Sequence, residues 1–121
     1  MMILLLDDDN DFRTALAENL RYAGHRVVEL DTPADGADPA RFDDVGLVVA
    51  DYHLPNQSGL MFVDAFHAAH PRVPVILVTG DPSSYIDDAI GRRPFVRLQR
   101  KPMAYQELEA AIESAHLGAN I

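Results

Sequence analysis

VGLVVADYHLPNQSG, residues 45–59, carries the clearest structural signal in the sequence. Residues 45–50 are apolar apart from one glycine, which is typical of a strand buried on both faces of a parallel sheet. The apolar run stops at Asp51, Pro55 then indicates a loop, and Ser58 is suited to cap the helix that follows. Because ligands of open α/β sheets bind beyond the carboxyl ends of the strands, Asp51 is either a solvated strand end or a working carboxylate.

Composition limits the classes of protein to which the chain can belong. Its 121 residues, 48% of them apolar, predict one domain over residues 1–121. The formal charge of −9 argues against direct nucleic-acid binding by this chain, because such binding needs a basic surface. The sequence has no cysteine and no apolar segment long enough to span a membrane, so we expect a cytoplasmic protein without disulfides or thiolate metal ligands.

The rest of the chain alternates between strand and helix signals. Apolar runs predict four further strands, over residues 2–6, 25–30, 73–79 and 95–100. Helical periodicity predicts a first helix that one of residues 9–11 caps and that ends at Gly24, and later helices over residues 59–70, 83–90 and 104–117. Residues 31–44 are rich in proline and glycine, so we expect only a short or irregular element there.

This alternation predicts an α/β fold with a doubly wound, five-stranded parallel sheet and helices on both faces. The strands then deliver polar residues to one edge of the sheet: Asp7, Asp8, Asp51, Thr79 and Lys101, the last being the only lysine. Carboxylates packed together repel unless a cation neutralises them, and hard oxygen ligands favour Mg²⁺. A hydroxyl and an ammonium beside that metal suit a phosphoryl group. The set together therefore predicts a phosphoryl site, although each residue alone has an ordinary structural explanation.

Four short motifs occur in order: Asp7-Asp8, D-x-x-L-P-x-x-x-G over residues 51–59, Thr79-Gly80 and Lys101-Pro102. In this order and spacing the chain resembles the receiver domain of bacterial response regulators over essentially its whole length. The resemblance implies a flavodoxin-like receiver fold. It also implies that a sensor histidine kinase, or a histidine phosphotransfer protein, donates a phosphoryl group to the aspartate and so switches the binding of a downstream protein or effector domain.

Residue by residue, the resemblance makes Asp51 the phosphoacceptor. It implies that Asp8, Asp51 and the backbone carbonyl of His53 hold Mg²⁺, with Asp7 acting through water. Thr79 and Lys101 would then bind phosphoryl oxygens.

The resemblance also implies a cis peptide bond between Lys101 and Pro102, which is physically reasonable because only X–Pro bonds make the cis form accessible. It further implies a chemistry of one self-directed phosphoryl transfer followed by slow hydrolysis, rather than enzymatic turnover. His53 and Asp81 would lie beside the path of the attacking water.

The sequence departs from the family pattern at positions that concern output. Leu98 stands where many members carry an aromatic residue that swings inward on activation, and Met103 stands where phenylalanine is common. In the family, the surface formed by the helix over residues 83–90, the next strand and the final helix commonly carries the signal outward, and it allows a homodimer. Because basic residues are concentrated there, we expect Arg93 and Arg97 to contact an acidic partner surface.

Two other functions compete with this interpretation. In a haloacid-dehalogenase-type phosphatase, Asp7 would be the nucleophile and Asp9 the acid/base, with Thr79 and Lys101 binding phosphate. That family needs a further acidic motif after the lysine, and here only glutamates on a predicted helix follow Lys101. The other competing function is a receiver-like binding module that is regulated without phosphate.

Overall fold

The computed structural model describes residues 1–32, 42–54 and 57–119. These residues form seven strands and four helices, which in chain order are β1 (Met2–Leu6), α1 (Asn10–Tyr22), β2 (Arg26–Leu30), β3 (Val45–Asp51), β4 (His53–Leu54), β5 (Gln57–Ser58), α2 (Gly59–Ala69), β6 (Val75–Thr79), α3 (Ser84–Ile90), β7 (Val96–Arg100) and α4 (Tyr105–Ala119).

Five of the strands form one parallel sheet in the order β2-β1-β3-β6-β7, which confirms the predicted doubly wound architecture. The chain moves outward from β1 to β2 and then crosses back to β3. The carboxyl ends of β1 and β3 therefore lie at the topological switch point, where ligands of such sheets bind. The short strands β4 and β5 form a separate antiparallel hairpin directly after β3.

The two faces of the sheet bury two hydrophobic layers because successive side chains of a strand point to opposite faces. One layer contains α2 and α3, whose Phe66 and Ile86 are fully buried. The other contains α1 and α4, where Leu20 and Leu108 are fully buried. Because β1, β3 and β6 are covered on both faces, their sequences are almost continuously apolar.

The predicted element boundaries hold to within two residues. Differences of two residues occur at β6, which begins at Val75 rather than at residue 73, and at the ends of α1 and α4, which lie at Tyr22 and Ala119. Pro74 lacks an N–H group and cannot donate a hydrogen bond to a neighbouring strand. Asp9 is the residue that caps α1, where its Oδ1 accepts from the Phe12 amide at 3.1 Å. Ser58 precedes α2 as expected, but its side chain makes no capping hydrogen bond.

Two sequence predictions concern residues for which no structure is described. The irregular element expected within residues 31–44 falls mostly on residues 33–41, and Pro55 of the loop after β3 is also outside the described residues. Across the described ranges, no helix is both long enough and apolar enough to cross a membrane.

Candidate functional site

Four strands of the parallel sheet deliver polar side chains to one edge. Asp7 directly follows β1, Asp51 ends β3, Thr79 ends β6 and Lys101 directly follows β7. The structure brings the carboxylates of Asp7, Asp8 and Asp51 together, so that one oxygen from each lies within 4.8 Å of the other two. These three acidic residues could hold a metal ion, because clustered hard oxygen donors suit a divalent cation such as Mg²⁺.

Asp7 is the buried member of this acidic cluster, with its residue only 1% exposed. Its Oδ1 accepts from the Asp9 amide at 2.9 Å, and its Oδ2 lies 3.3 Å from Lys101 Nζ. Burial raises the pKa of Asp7, and the nearby Asp51 charge raises it further, while the Asp9 hydrogen bond and Lys101 oppose this rise. A bound divalent cation would favour the ionised form that burial disfavours, which fits these residues to a metal site.

Lys101 places its ammonium between two carboxylates. Its Nζ lies 3.3 Å from Asp7 Oδ2 and 3.4 Å from Asp51 Oδ2, and it sits 4.1 Å from the centroid of the Phe12 ring. Its backbone amide donates to the Thr79 carbonyl at 2.7 Å, which ties it to β6. The peptide bond to Pro102 is cis, as the family resemblance implies. The backbone hydrogen bond and the contacts of Nζ together hold the Lys101 ammonium at the edge of the acidic cluster.

Asp51 is fixed by a tight turn that needs glycine at residue 59. Its Oδ1 accepts from the His53 amide at 3.0 Å. The Gly59 amide donates to the Tyr52 carbonyl at 2.6 Å, which brings the first turn of α2 against the end of β3. A Cβ atom on Gly59 would lie 2.1 Å from the Asp51 carbonyl oxygen, far inside any permitted contact. The eight-residue spacing from aspartate to glycine therefore has a steric cause.

Thr79 presents a hydroxyl to the same edge of the sheet. The residue is completely buried, and its Oγ1 accepts from the Asp81 amide at 3.0 Å. A hydroxyl that accepts one hydrogen bond can still donate its own hydrogen. Thr79 is therefore able to bind an oxygen of a phosphoryl group beside Asp51.

A second cluster, which sequence reasoning found only in part, lies beside Asp51. Asp81 Oδ2 is 2.9 Å from His53 Nε2 and accepts from the Tyr85 hydroxyl at 3.0 Å. Hydrogen bonds from Ser83, and then from His53 and Tyr85, hold the pKa of Asp81 well below its ordinary value. The family motif indicated His53 and Asp81, but Tyr85 lies on α3 outside any motif. Only its position four residues after Asp81 hinted at the contact.

Arg93, one of the basic residues before α4, is paired within the chain: its Nε and Nη2 donate to Asp64 on α2 at 2.8 Å each. This ion pair raises the pKa of Arg93 and lowers that of Asp64. The expected contact of Arg93 and Arg97 with an acidic partner surface stays a prediction. Arg97 is exposed, and together with Arg72 it lines an open cavity of about 240 Å³ at the opposite end of the sheet from Asp51. Leu98 packs, partly buried, against the hydrophobic layer of α2 and α3.

The family model of the response regulator receiver domain matches residues 3–113. Among curated proteins, the chain is 39% identical over 79 residues to the C4-dicarboxylate transport transcriptional regulatory protein DctD of Pseudomonas aeruginosa, covering 64% of this chain and 17% of that one. It is 35% identical over 78 residues to the phosphoglycerate transport system transcriptional regulatory protein PgtA of Salmonella typhimurium, covering 64% and 19%. The chain thus spans less than a fifth of the length of either relative.

Solved structures give the same result for the fold. The receiver domain of an HD domain-containing protein from Pseudomonas fluorescens Pf-5 is 27% identical with a TM-score of 0.87, covering 98% of this chain and 88% of that one. A CheY-like receiver domain protein from Methanospirillum hungatei JF-1 is 22% identical with a TM-score of 0.88, covering 98% and 95%. With the sheet order and the family match, these findings show that the chain belongs to the response regulator receiver domains of two-component signalling.

Proposed function

We propose that this receiver domain accepts a phosphoryl group on Asp51 from the phosphohistidine of a sensor histidine kinase or a histidine phosphotransfer protein. The observation that supports the proposal best is the position of Asp51 relative to the other two carboxylates. Lys101 contacts both Asp51 and Asp7, but the side chain of Asp51 is 13% exposed whereas that of Asp7 is only 2% exposed. Asp8 is exposed but is not contacted by the ammonium in the described structure. A phosphoryl donor can therefore reach the Asp51 carboxylate, and the Lys101 ammonium lies beside that carboxylate during the transfer.

The transfer follows from this arrangement. A carboxylate oxygen of Asp51 attacks phosphorus, the P–N bond to the donor histidine breaks, and an acyl phosphate forms. The Thr79 hydroxyl and the Lys101 ammonium bind phosphoryl oxygens, where they offset the negative charge of the group. Slow attack by water on phosphorus then releases inorganic phosphate and restores the Asp51 carboxylate.

The acidic cluster would hold the Mg²⁺ that the family requires. Asp8, Asp51 and the backbone carbonyl of His53 would bind the ion directly, and Asp7 would act through water. Bound Mg²⁺ supplies positive charge that offsets both the clustered carboxylates and the phosphoryl oxygens. The raised pKa of Asp7 supports this role, because a cation would favour its ionised form.

Incubation with acetyl phosphate tests the proposal. With Mg²⁺ present, we expect the intact protein to gain the mass of one phosphoryl group, and chelation of Mg²⁺ should prevent the gain. Borohydride reduction followed by peptide mapping should locate the acyl phosphate at Asp51. A binding module regulated without phosphate would show no gain at any donor concentration.

The phosphatase alternative makes a different demand on Asp9. As its acid/base, Asp9 would need a free carboxylate, but Asp9 Oδ1 caps α1 through the Phe12 amide at 3.1 Å. Continued hydrolysis of a small phosphate ester, far beyond one turnover, would be required to support that alternative. The family match and this capping bond both favour the receiver function.

The substitution Lys101→Arg tests whether residue 101 needs a lysine ammonium rather than any positively charged side chain. A compact ammonium fits between Asp7 and Asp51, whereas a planar guanidinium is bulkier and directional. We expect the variant to fold and still accept a phosphoryl group, but to show a several-fold smaller phosphorylation-dependent change in amide hydrogen exchange across α3. Arg97→Lys, on the exposed part of β7, is the control. A wild-type response in Lys101→Arg would contradict a specific role for the ammonium.

We further propose that residues 1–121 form a single cytoplasmic receiver domain whose output surface is α3, β7 and α4. Exposed side chains on these elements support this surface: Tyr85 on α3 is 50% exposed, Leu117 on α4 is 59% exposed, and Arg97 on β7 is exposed as well. Large exposed apolar groups and a positive charge on the same elements suit a protein interface. A downstream protein, an effector domain or a second copy of the chain would bind there.

A further inference from the structure

Arg100, the last residue of β7, ties three parts of the chain together. Its Nη1 and Nη2 donate to the two carboxylate oxygens of Asp87 on α3, at 3.2 and 3.0 Å. Its Nε donates to the Asp81 carbonyl at 3.3 Å, and its Nη2 also donates to the Ser83 carbonyl at 3.2 Å. Both carbonyls belong to the loop between β6 and α3 (residues 80–83, the β6–α3 loop). One guanidinium thus holds the β6–α3 loop to the end of β7 and to α3.

The β6–α3 loop is the segment that places Asp81 beside the acceptor. The Asp81 amide donates to Thr79 Oγ1 at 3.0 Å, and the Asp81 carboxylate meets His53 Nε2 at 2.9 Å. His53 in turn donates its backbone amide to Asp51 Oδ1 at 3.0 Å. Hydrogen bonds therefore join Arg100 to Asp87 on α3 and to the Asp81 backbone, and they join the Asp81 side chain through His53 to the side chain of Asp51.

The geometry needs arginine. A guanidinium offers five N–H donors in a fixed fork, so one side chain can bind a carboxylate on one side and two carbonyls on the other. A lysine ammonium could pair with Asp87 but has no such fork. Leu98, at the position of the family's swinging aromatic residue, is instead packed against the hydrophobic layer beneath α3. A connection between the acceptor and α3 in this chain therefore has to use other side chains.

We propose that Arg100 is a positioning residue that couples α3 to the phosphoryl chemistry at Asp51. By fixing the β6–α3 loop, it sets where the Asp81 carboxylate and the Thr79 hydroxyl stand relative to the phosphoryl group and its attacking water. Because the β6–α3 loop joins the two, a partner that holds α3 changes the phosphoryl lifetime through the position of the loop, and phosphorylation changes α3 by the same route. This inference rests on the proposed function, because it requires a phosphoryl group on Asp51.

The chain offers a matched control for the test. Arg93 and Asp64 form a similar ion pair with two hydrogen bonds of 2.8 Å each, and Arg93 also donates to the Ala89 carbonyl at the end of α3. Within the described residues, Arg93 makes no hydrogen bond or ion pair with the β6–α3 loop. Exposed ion pairs contribute little to stability. Removing either pair should therefore leave the fold intact, so that the two pairs differ mainly in what they hold in place.

The experiment compares Arg100→Gln and Asp87→Asn, singly and combined, with the control pair Arg93→Gln and Asp64→Asn. Each protein is phosphorylated with acetyl phosphate and Mg²⁺, the donor is removed, and the first-order loss of phosphoryl mass is followed. Amide hydrogen exchange across α3 is measured with and without the phosphoryl group. Thermal unfolding shows whether each variant is folded.

For Arg100→Gln we expect the phosphoryl lifetime to change at least threefold and the phosphorylation-dependent exchange change in α3 to be largely lost. Asp87→Asn should shift the lifetime in the same direction by a smaller factor. The double variant should be no further from wild type than Arg100→Gln alone, because both residues act through one contact. The control variants should keep the wild-type lifetime and exchange response.

Three results would overturn the inference. Wild-type lifetimes in both Arg100→Gln and Asp87→Asn would make the contact a simple surface ion pair. Equal changes in the Arg93 and Arg100 variants would show a general effect of losing an ion pair. Additive lifetime effects in the double variant would show that the two residues act separately.

Failure of the proposed function can be distinguished from failure of this inference, because the wild-type protein itself would then gain no phosphoryl mass. If Arg100→Gln does not fold, the phosphoryl lifetime of Asp87→Asn alone tests the inference. Asp87 is exposed on α3, so its substitution should leave the protein folded.

Discussion

Asp51→Asn is expected to abolish phosphoryl labelling by acetyl phosphate in the presence of Mg²⁺. An amide oxygen lacks the charge of a carboxylate and is a poor nucleophile, so we expect at least a hundredfold loss of the labelling rate, about 2.7 kcal/mol in the barrier. The fold should be unaffected because asparagine has nearly the same shape. The Asp51 charge raises the pKa of Asp7, so its removal also relieves repulsion within the acidic cluster. Intact-protein mass measured against time gives the labelling rate.

Asp44→Asn is the matched control for this substitution. Asp44 is exposed and directly precedes β3, so it lies at the opposite end of the same strand from Asp51. It should label at the wild-type rate. Full labelling of Asp51→Asn would contradict the acceptor assignment, and the exposed Asp8 would then be the next carboxylate to replace. Labelling that survives in Asp51→Asn but fails in Asp7→Asn would instead favour the phosphatase arrangement.

The main elements of the fold could be predicted from the sequence because the central strands are buried on both faces. The residues of β6 are all buried, and their uniform apolar character could hardly belong to any other element. The hairpin of β4 and β5 could not be predicted. Each of its strands has only two residues, which is too short for any periodic pattern to show.

The composition of the candidate site was also predictable, since parallel strands place their carboxyl ends at one edge. Asp7, Asp51, Thr79 and Lys101 come from four strands, and their close approach follows from the sheet order alone. What could not be predicted is which charged side chains pair with each other across the surface. Arg93 seemed free for a partner, yet its ion pair joins it to a residue 29 positions earlier.

The contacts of Arg100 illustrate the same limit. Two of its acceptors are backbone carbonyls, which every residue possesses and no sequence pattern marks. Only the placement of the β6–α3 loop against the end of β7 shows that a guanidinium can reach them. Motifs therefore predicted the residues of the candidate site, whereas the arginine that holds the β6–α3 loop became visible only in three dimensions.

Gly59→Ala is expected to lower the free energy of unfolding by about 2–3 kcal/mol and to slow phosphoryl labelling. Gly59 begins α2, and helix propensity alone would favour alanine over glycine by about 0.5–1 kcal/mol. The added Cβ would stand 2.1 Å from the Asp51 carbonyl oxygen and 3.2 Å from the Tyr52 Cα. Both obstacles are backbone atoms, so the end of β3 or the start of α2 has to move. Denaturant unfolding and the labelling rate measure the two effects.

Gly46→Ala separates this clash from the general effect of replacing a glycine. Gly46 lies on the same strand as Asp51, but the three atoms nearest to a Cβ there all belong to the flexible Met1 side chain, the nearest at 3.5 Å. We therefore expect Gly46→Ala to have nearly wild-type stability and labelling. Helix propensity predicts that Gly59→Ala raises the free energy of unfolding, whereas the steric clash predicts that it lowers it. The sign of the measured change therefore decides between the two effects. If the Gly59→Ala protein is at least as stable as wild type, a side chain at the start of α2 does not clash with the backbone of Asp51. The fixed spacing from Asp51 to Gly59 would then need another cause.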